Sequence, residues 1–119
     1  MLKSYKELKV WQQSYALCLD VYRLTTGFPK EELYGLTSQA RRSAVSIPSN
    51  IAEGYGRRTK PDYVRSLYIA YGSVCELETQ ILLSRDLGYI REKDKGFLEQ
   101  KIAEVERMLK GLIKALEKP

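Results

Sequence analysis

Apolar residues recur along this chain three or four positions apart in four separate stretches, and nowhere do they alternate with period two over a useful length. Four helices are expected, each with its own punctuation. The first runs from about residue 5 to residue 25. Ser4-x-x-Glu7 has the pattern of a capping box, and Gly27 with Pro29 closes the segment. Its apolar residues form two stripes. Leu8, Trp11, Tyr15, Cys18, Leu19 and Tyr22 share one face, while Val10, Leu17, Val21 and Leu24 lie roughly opposite. A helix that is apolar on two faces needs two partners. One is the core of its own bundle, and in so small a chain the other is most simply a second subunit. Val10, Leu17, Val21 and Leu24 are therefore expected at an oligomer interface.

The second helix is expected over about residues 31 to 53, with Gly54 as its stop. Leu36, Ala40, Ala44, Ile47 and Ile51 line one face, and Ser38, Arg42, Val45 and Ser49 the other. Pro48 falls in its interior, where a proline removes one backbone hydrogen bond and bends the helix at a cost of ~3 kcal/mol or more. Ser46, Ser49 and Asn50 are close enough to satisfy the freed groups. The third helix is expected over about residues 61 to 87. Thr59-x-x-Asp62 supplies its N-cap, Pro61 its first turn and Gly88 its stop. Tyr63, Leu67, Ala70, Tyr71, Val74, Leu77 and Ile81 make its apolar stripe, which Tyr68, Cys75 and Leu82 widen to one side. Glu78 projects into that stripe, where a carboxylate needs a partner, and Arg41 or Arg42 is the expected one. The fourth helix, about residues 92 to 116, carries Leu98, Ile102, Val105, Leu109, Leu112 and Leu116, with Glu106 and Lys110 as an i,i+4 pair. Helices of this length joined by short connections imply an all-α fold. The arrangement is an antiparallel up-down-up-down four-helix bundle, with residues 1–119 as a single domain. Pro48, Asn50, Glu53 and Glu78 are assigned structural roles in it.

Composition narrows the chemistry. The chain contains no histidine, which removes the commonest general base and most zinc sites. Cys18 and Cys75 have no metal or redox spacing and read as small apolar residues. Gly54-Tyr-Gly56 lacks the Gly-Lys-Ser/Thr ending of a phosphate loop. No helix carries Glu-x-x-His, and Glu53, Asp62 and Glu78 have no compelling spacing for a metal-dependent nuclease. No catalytic residue, metal or cofactor is expected. No stretch approaches the ~20 apolar residues of a membrane span, and the first residues lack the apolar core of a signal peptide. A cytoplasmic protein without membrane contact is the expectation.

The formal charge of +5 permits a polyanionic partner without demanding one. Arg41 and Arg42 fall on the second helix, Arg57, Arg58 and Lys60 in the turn after it, and Arg65 at the start of the third. Such side chains contact phosphates, and the flanking Tyr55 and Tyr63 offer rings for unpaired bases. These six cations are the candidate nucleic-acid contacts.

A longer pattern then emerges. Leu8-Lys-Val-Trp11 is followed by Phe28-Pro29. Next comes Gln39-Ala-Arg-Arg-Ser-Ala-Val-Ser-Ile-Pro-Ser-Asn-Ile-Ala-Glu-Gly54, and then Glu76-Leu-Glu-Thr-Gln80. In these segments the chain resembles the 23S rRNA intervening-sequence proteins, also called the S23 ribosomal protein family. The resemblance implies a four-helix bundle that assembles as a homopentamer around a central channel. It extends to an accessory protein of diversity-generating retroelements, a basic pentamer that associates with a reverse transcriptase and nucleic acid. The functional expectation is a non-catalytic homo-oligomer that binds RNA or DNA, structured RNA foremost, through its basic surface. The alternatives are a scaffold that holds a partner enzyme such as a reverse transcriptase without touching nucleic acid, and an enzyme acting on RNA.

Overall fold

The computed structural model describes residues 2–119. A 3-10 turn at Tyr5–Glu7 leads into α1 (Lys9–Thr25). A second 3-10 turn at Lys30–Glu32 precedes α2 (Leu36–Tyr55). Then come α3 (Lys60–Asp86) and α4 (Glu92–Glu117). Each helix packs against two neighbours, α1 on α2 and α4, α3 on α2 and α4, and the other two pairs lie diagonally across the shared core. Among the described residues there is no strand, and the four helices form the expected antiparallel bundle, 46 × 24 × 21 Å.

Local chemistry sets the helix ends. Ser4 accepts from the Lys6 N–H at 3.1 Å and Glu7 from the Lys3 N–H at 2.7 Å, so this cap starts the 3-10 turn and not α1. Leu8, which has no side-chain cap to give, heads α1 instead. Thr59 caps α3 by accepting from the Asp62 N–H at 3.2 Å, with Pro61 in the first turn as expected. Gly88 ends α3 with φ +81°. Its N–H donates to Arg85 O and that of Tyr89 to Ser84 O, both at 2.9 Å, a Schellman closure that a side chain at Gly88 would strain.

The second helix departs most from expectation. It begins at Leu36, because Glu32 caps it from outside. The Glu32 carboxylate accepts from the Leu36 N–H at 3.0 Å and from the Tyr89 hydroxyl at 2.9 Å. It also runs past Gly54 to Tyr55. Gly54 is buried at the α2–α3 crossing, where a Cβ would lie 2.9 Å from Ser66 Cβ and 3.0 Å from the Tyr63 ring. It is a packing glycine and not a stop. Ala40, Ser43, Ala44, Ser66, Ala70 and Ser73 are also small and buried, which lets these two helices approach closely. Pro48 is buried without interrupting α2. Asn50 Nδ2 donates to Ser46 O (2.8 Å) and Ser46 Oγ (3.0 Å), and Ser73 reaches the same Ser46 hydroxyl at 2.8 Å.

The core contains the expected stripe of α2, most of those of α3 and α4, and Ile113 in addition; Tyr63, Tyr71, Leu112 and Leu116 are half-buried against it, and Tyr68, Cys75 and Leu82 are exposed. On α1 the expectation is reversed. Val10, Leu17 and Val21 are buried in the bundle's own core and Leu24 packs against it, so they are not free to meet another subunit. The inward seam reads Val10, Ser14, Leu17, Val21, Thr25. Its two polar members are satisfied within the helix, Ser14 Oγ by Trp11 O at 3.0 Å and Thr25 Oγ1 by Val21 O at 2.7 Å. These hydroxyls disguise the seam in the sequence. Of the other stripe, Tyr15, Leu19 and Tyr22 face outward, whereas Leu8, Trp11 and Cys18 pack against the core. Tyr15 and Leu19 are 49% and 51% exposed, and Trp11 stacks on Tyr15 with ring centres 5.1 Å apart.

Candidate nucleic-acid interface

The antiparallel topology brings the start of α1, the end of α2, the start of α3 and the end of α4 to one end of the bundle. The Tyr55 hydroxyl donates to Leu2 O at 3.2 Å, and the Tyr55 and Tyr63 rings meet edge to face at 6.3 Å. The Tyr68 hydroxyl reaches the Glu117 carboxylate at 3.4 Å. Lys3, Lys6 and Lys9 come to this end from the first segment, Arg57, Arg58, Lys60 and Arg65 from the α2–α3 turn, and Lys114 and Lys118 from α4. All are exposed. The carboxylates beside them are Glu7, Glu53, Asp62 and Glu117. The excess of cations at this end equals the formal +5 of the whole chain. The remainder of the bundle is balanced.

Sequence reasoning found the α2–α3 part of this surface and missed its α1 and α4 parts, because those lysines lie dispersed at the two extremes of the chain. Only the up-down-up-down order brings them together. Within the turn, Arg57 pairs with Glu53 one helical turn away. Glu53 is exposed, so it is a surface ion pair and not the structural element expected of it. Glu53, Arg57, Asp62, Arg65, Ser66 and Ile69 line a shallow groove. Arg58 and Lys60 make no hydrogen bond or ion pair among the described residues.

Arg41 and Arg42 do not join this surface. They lie some fifteen residues from Arg57 along α2, about 20 Å at a helical rise of ~1.5 Å per residue. Arg41 fastens α2 to α1. Its Nε donates to Thr25 Oγ1 at 2.8 Å and an Nη to Tyr22 O at 3.3 Å, with the guanidinium 4.8 Å from the Tyr22 ring centre. Two of its five N–H donors, Nε and one Nη, are thus engaged within the chain. Arg42 is exposed on the outer side of α2. It borders a polar cleft with Gln39, Ser43, Ser46, Ser73, Glu76 and Gln80. Nor do Tyr55 and Tyr63 offer free faces for bases. Tyr55 is half-buried with its hydroxyl engaged, and Tyr63 is wedged against Gly54.

Glu78 pairs with neither arginine. It faces α4, where burial and the neighbouring Glu99 carboxyl, then the Glu106 charge, raise its pKa, and Lys95 offsets them only in part. Burial likewise raises the Cys18 thiol, whereas Cys75 is exposed and does not behave as a small core residue. No group of three or more His, Cys, Asp and Glu that could hold a metal is found among the described residues. No described helix is long and apolar enough to cross a membrane.

The family model for the 23S rRNA-intervening sequence protein matches residues 6–111. The chain belongs to this family. A solved structure is similar to it over 88% of this chain and 98% of the other, with a TM-score of 0.80 and 22% identity. That structure is a protein of unknown function from the S23 ribosomal protein family of Bacteroides thetaiotaomicron. At this identity the likeness supports the fold. No curated protein matches the chain. The long motif in α2 supplies Ala40, Ser43, Ala44 and Gly54 to the close α2–α3 crossing.

Proposed function

We propose that this member of the 23S rRNA-intervening sequence protein family is a non-catalytic homo-oligomer that binds structured RNA through the basic end of its bundle. The single observation that carries the proposal is the gathering of the chain's entire excess positive charge at that end. A surface of this kind engages phosphates, and the counterions released give an affinity that falls steeply with salt. Assembly is supported by the exposed apolar residues. Tyr15, Leu19 and Tyr22 lie on α1, whereas Ile69, Leu82 and Leu83 lie on the diagonal helix α3. Exposed apolar residues on two different helices suit a head-to-tail contact, which closes into a ring when the rotation allows. A pentamer is the ring that the family resemblance implies. Each basic end then repeats around the ring axis, so weak contacts add through multivalency.

The test is a salt titration of RNA binding by the wild type and by the Arg57→Ala, Arg58→Ala double variant. Affinity should fall in the variant and the slope of log K against log salt should become shallower, by up to ~0.9 for each duplex phosphate no longer neutralised. The same exposed apolar residues also favour a second reading, a scaffold that holds a partner enzyme. Wild-type protein that binds no RNA at low salt but captures a partner protein would establish that reading instead.

A further inference from the structure

The groove between α3 and α4 adjoins the basic end, with which it shares Lys114. Its floor is the rings of Tyr68 and Tyr71 with the buried Ile113, and its rim is Lys110, Lys114 and Glu117. It measures about 390 Å³, within the ~300–1,000 Å³ of small-molecule sites. Its two aromatic rings are held differently. Tyr71 is a fixed wall, because its hydroxyl donates to Glu106 at 3.0 Å and Lys110 Nζ lies 5.5 Å from its ring centre. Tyr68 is 51% exposed, and only its hydroxyl is tethered, to Glu117. It therefore presents a ring in a set orientation with much of its face free.

We infer that this groove receives one unpaired nucleobase, splayed from an RNA strand whose phosphates lie on the basic end. The inference rests on the RNA-binding reading above and adds what part of the RNA is recognised. An aromatic face stacks any base without regard to sequence. Ile113 packs its edge, Lys110 and Lys114 meet the flanking phosphates, and Glu117 offers an acceptor to a base N–H. Lys114 belongs both to this rim and to the basic end, so a strand followed along the lysines arrives at the groove. A duplex cannot use the site, because its bases stay in the stack. The protein thereby prefers loops, bulges and ends to continuous helix.

The experiment compares oligouridylate, single-stranded, with the same strand paired to oligoadenylate, at matched salt. Wild type should bind the single strand more tightly. Tyr68→Ala should weaken single-strand binding by about 5- to 100-fold, the range for loss of one stacked base. Duplex affinity and the salt slope should stay as they are, because every phosphate-binding cation is still in place. Tyr68→Trp should restore the preference. Equal losses on both ligands, or no loss on either, would overturn the inference while leaving the basic end in place. A fall in molar mass of Tyr68→Ala by light scattering would assign the groove to a subunit contact and also overturn it. Failure of the wild type to bind either ligand at low salt would instead remove the RNA-binding reading itself, and this inference with it.

Discussion

At Glu78 a half-buried carboxyl group meets Glu99 across the α3–α4 seam, and that encounter has a consequence for pH. Its folded-state pKa lies above that of the unfolded chain, through burial first and Glu99 second. The folded protein thus keeps a proton that the unfolded chain has already released. Stability from this site is full below the ordinary glutamate range and falls as pH rises through the raised value. Glu78→Gln should therefore raise the thermal midpoint at neutral pH and flatten this decline, which melts across a pH series would measure. Glu32 works in the opposite sense. Its pKa is lowered, first by the Leu36 N–H and then by the Tyr89 hydroxyl. Its contribution is present above the ordinary range and is lost as pH falls through the lowered value. The periodicity of α3 correctly placed Glu78 in an apolar stripe. It could not say which neighbour the residue faces, because a stripe fixes a direction on one helix and not the rotation of the next. Arg41 was legible as a cation on α2, but not as the partner of Thr25.

Between helices the glycines separate packing from punctuation. In α2, Gly54→Ala gains helix propensity but drives a Cβ into Ser66 and Tyr63, including the Tyr63 carbonyl oxygen at 3.2 Å. Overpacking of this kind costs ~1–3 kcal/mol, more than the ~1 kcal/mol that alanine gains over glycine in a helix. Gly111 in α4 is exposed and has nothing within 4 Å of its would-be Cβ, so Gly111→Ala should stabilise by ~0.5–1 kcal/mol. Urea unfolding of the two variants should thus give opposite signs. The extent of α3 was legible because its caps and its apolar spacing pointed the same way, and that of α4 from its spacing alone. The start of α2 was not, since its cap is the side chain of Glu32, acting from the preceding 3-10 turn. On α1 Tyr15, Leu19 and Tyr22 of the wider and more aromatic stripe face outward, while a seam broken by Ser14 and Thr25 faces the core. Hydrophobicity alone ranks these two stripes wrongly, because it does not count hydroxyls that bond back to their own helix.

Across the whole molecule, the outward stripe of α1 and the lopsided charge distribution are the two features a lone bundle does not need. If the stripe is a subunit contact, Leu19→Asp should lower the molar mass in light scattering while circular dichroism keeps its helical signal. A wild type that is monomeric at micromolar concentration would rule out the ring. The basic end was half legible, through Arg57, Arg58, Lys60 and Arg65, and its completion by Lys3, Lys6, Lys9, Lys114 and Lys118 depends on topology. Its role is tested most directly by removing equal charge from opposite ends. One variant replaces Arg58, Lys60 and Lys114 with Ser, and the other replaces Lys30, Arg91 and Lys93. RNA affinity and its salt slope are then measured for both. The basic-end variant should bind more weakly, with a slope shallower by up to ~0.9 for each duplex phosphate no longer neutralised, and the other variant should match the wild type. Equal losses in the two variants, or an unchanged slope in the first, would contradict the assignment of RNA binding to this end.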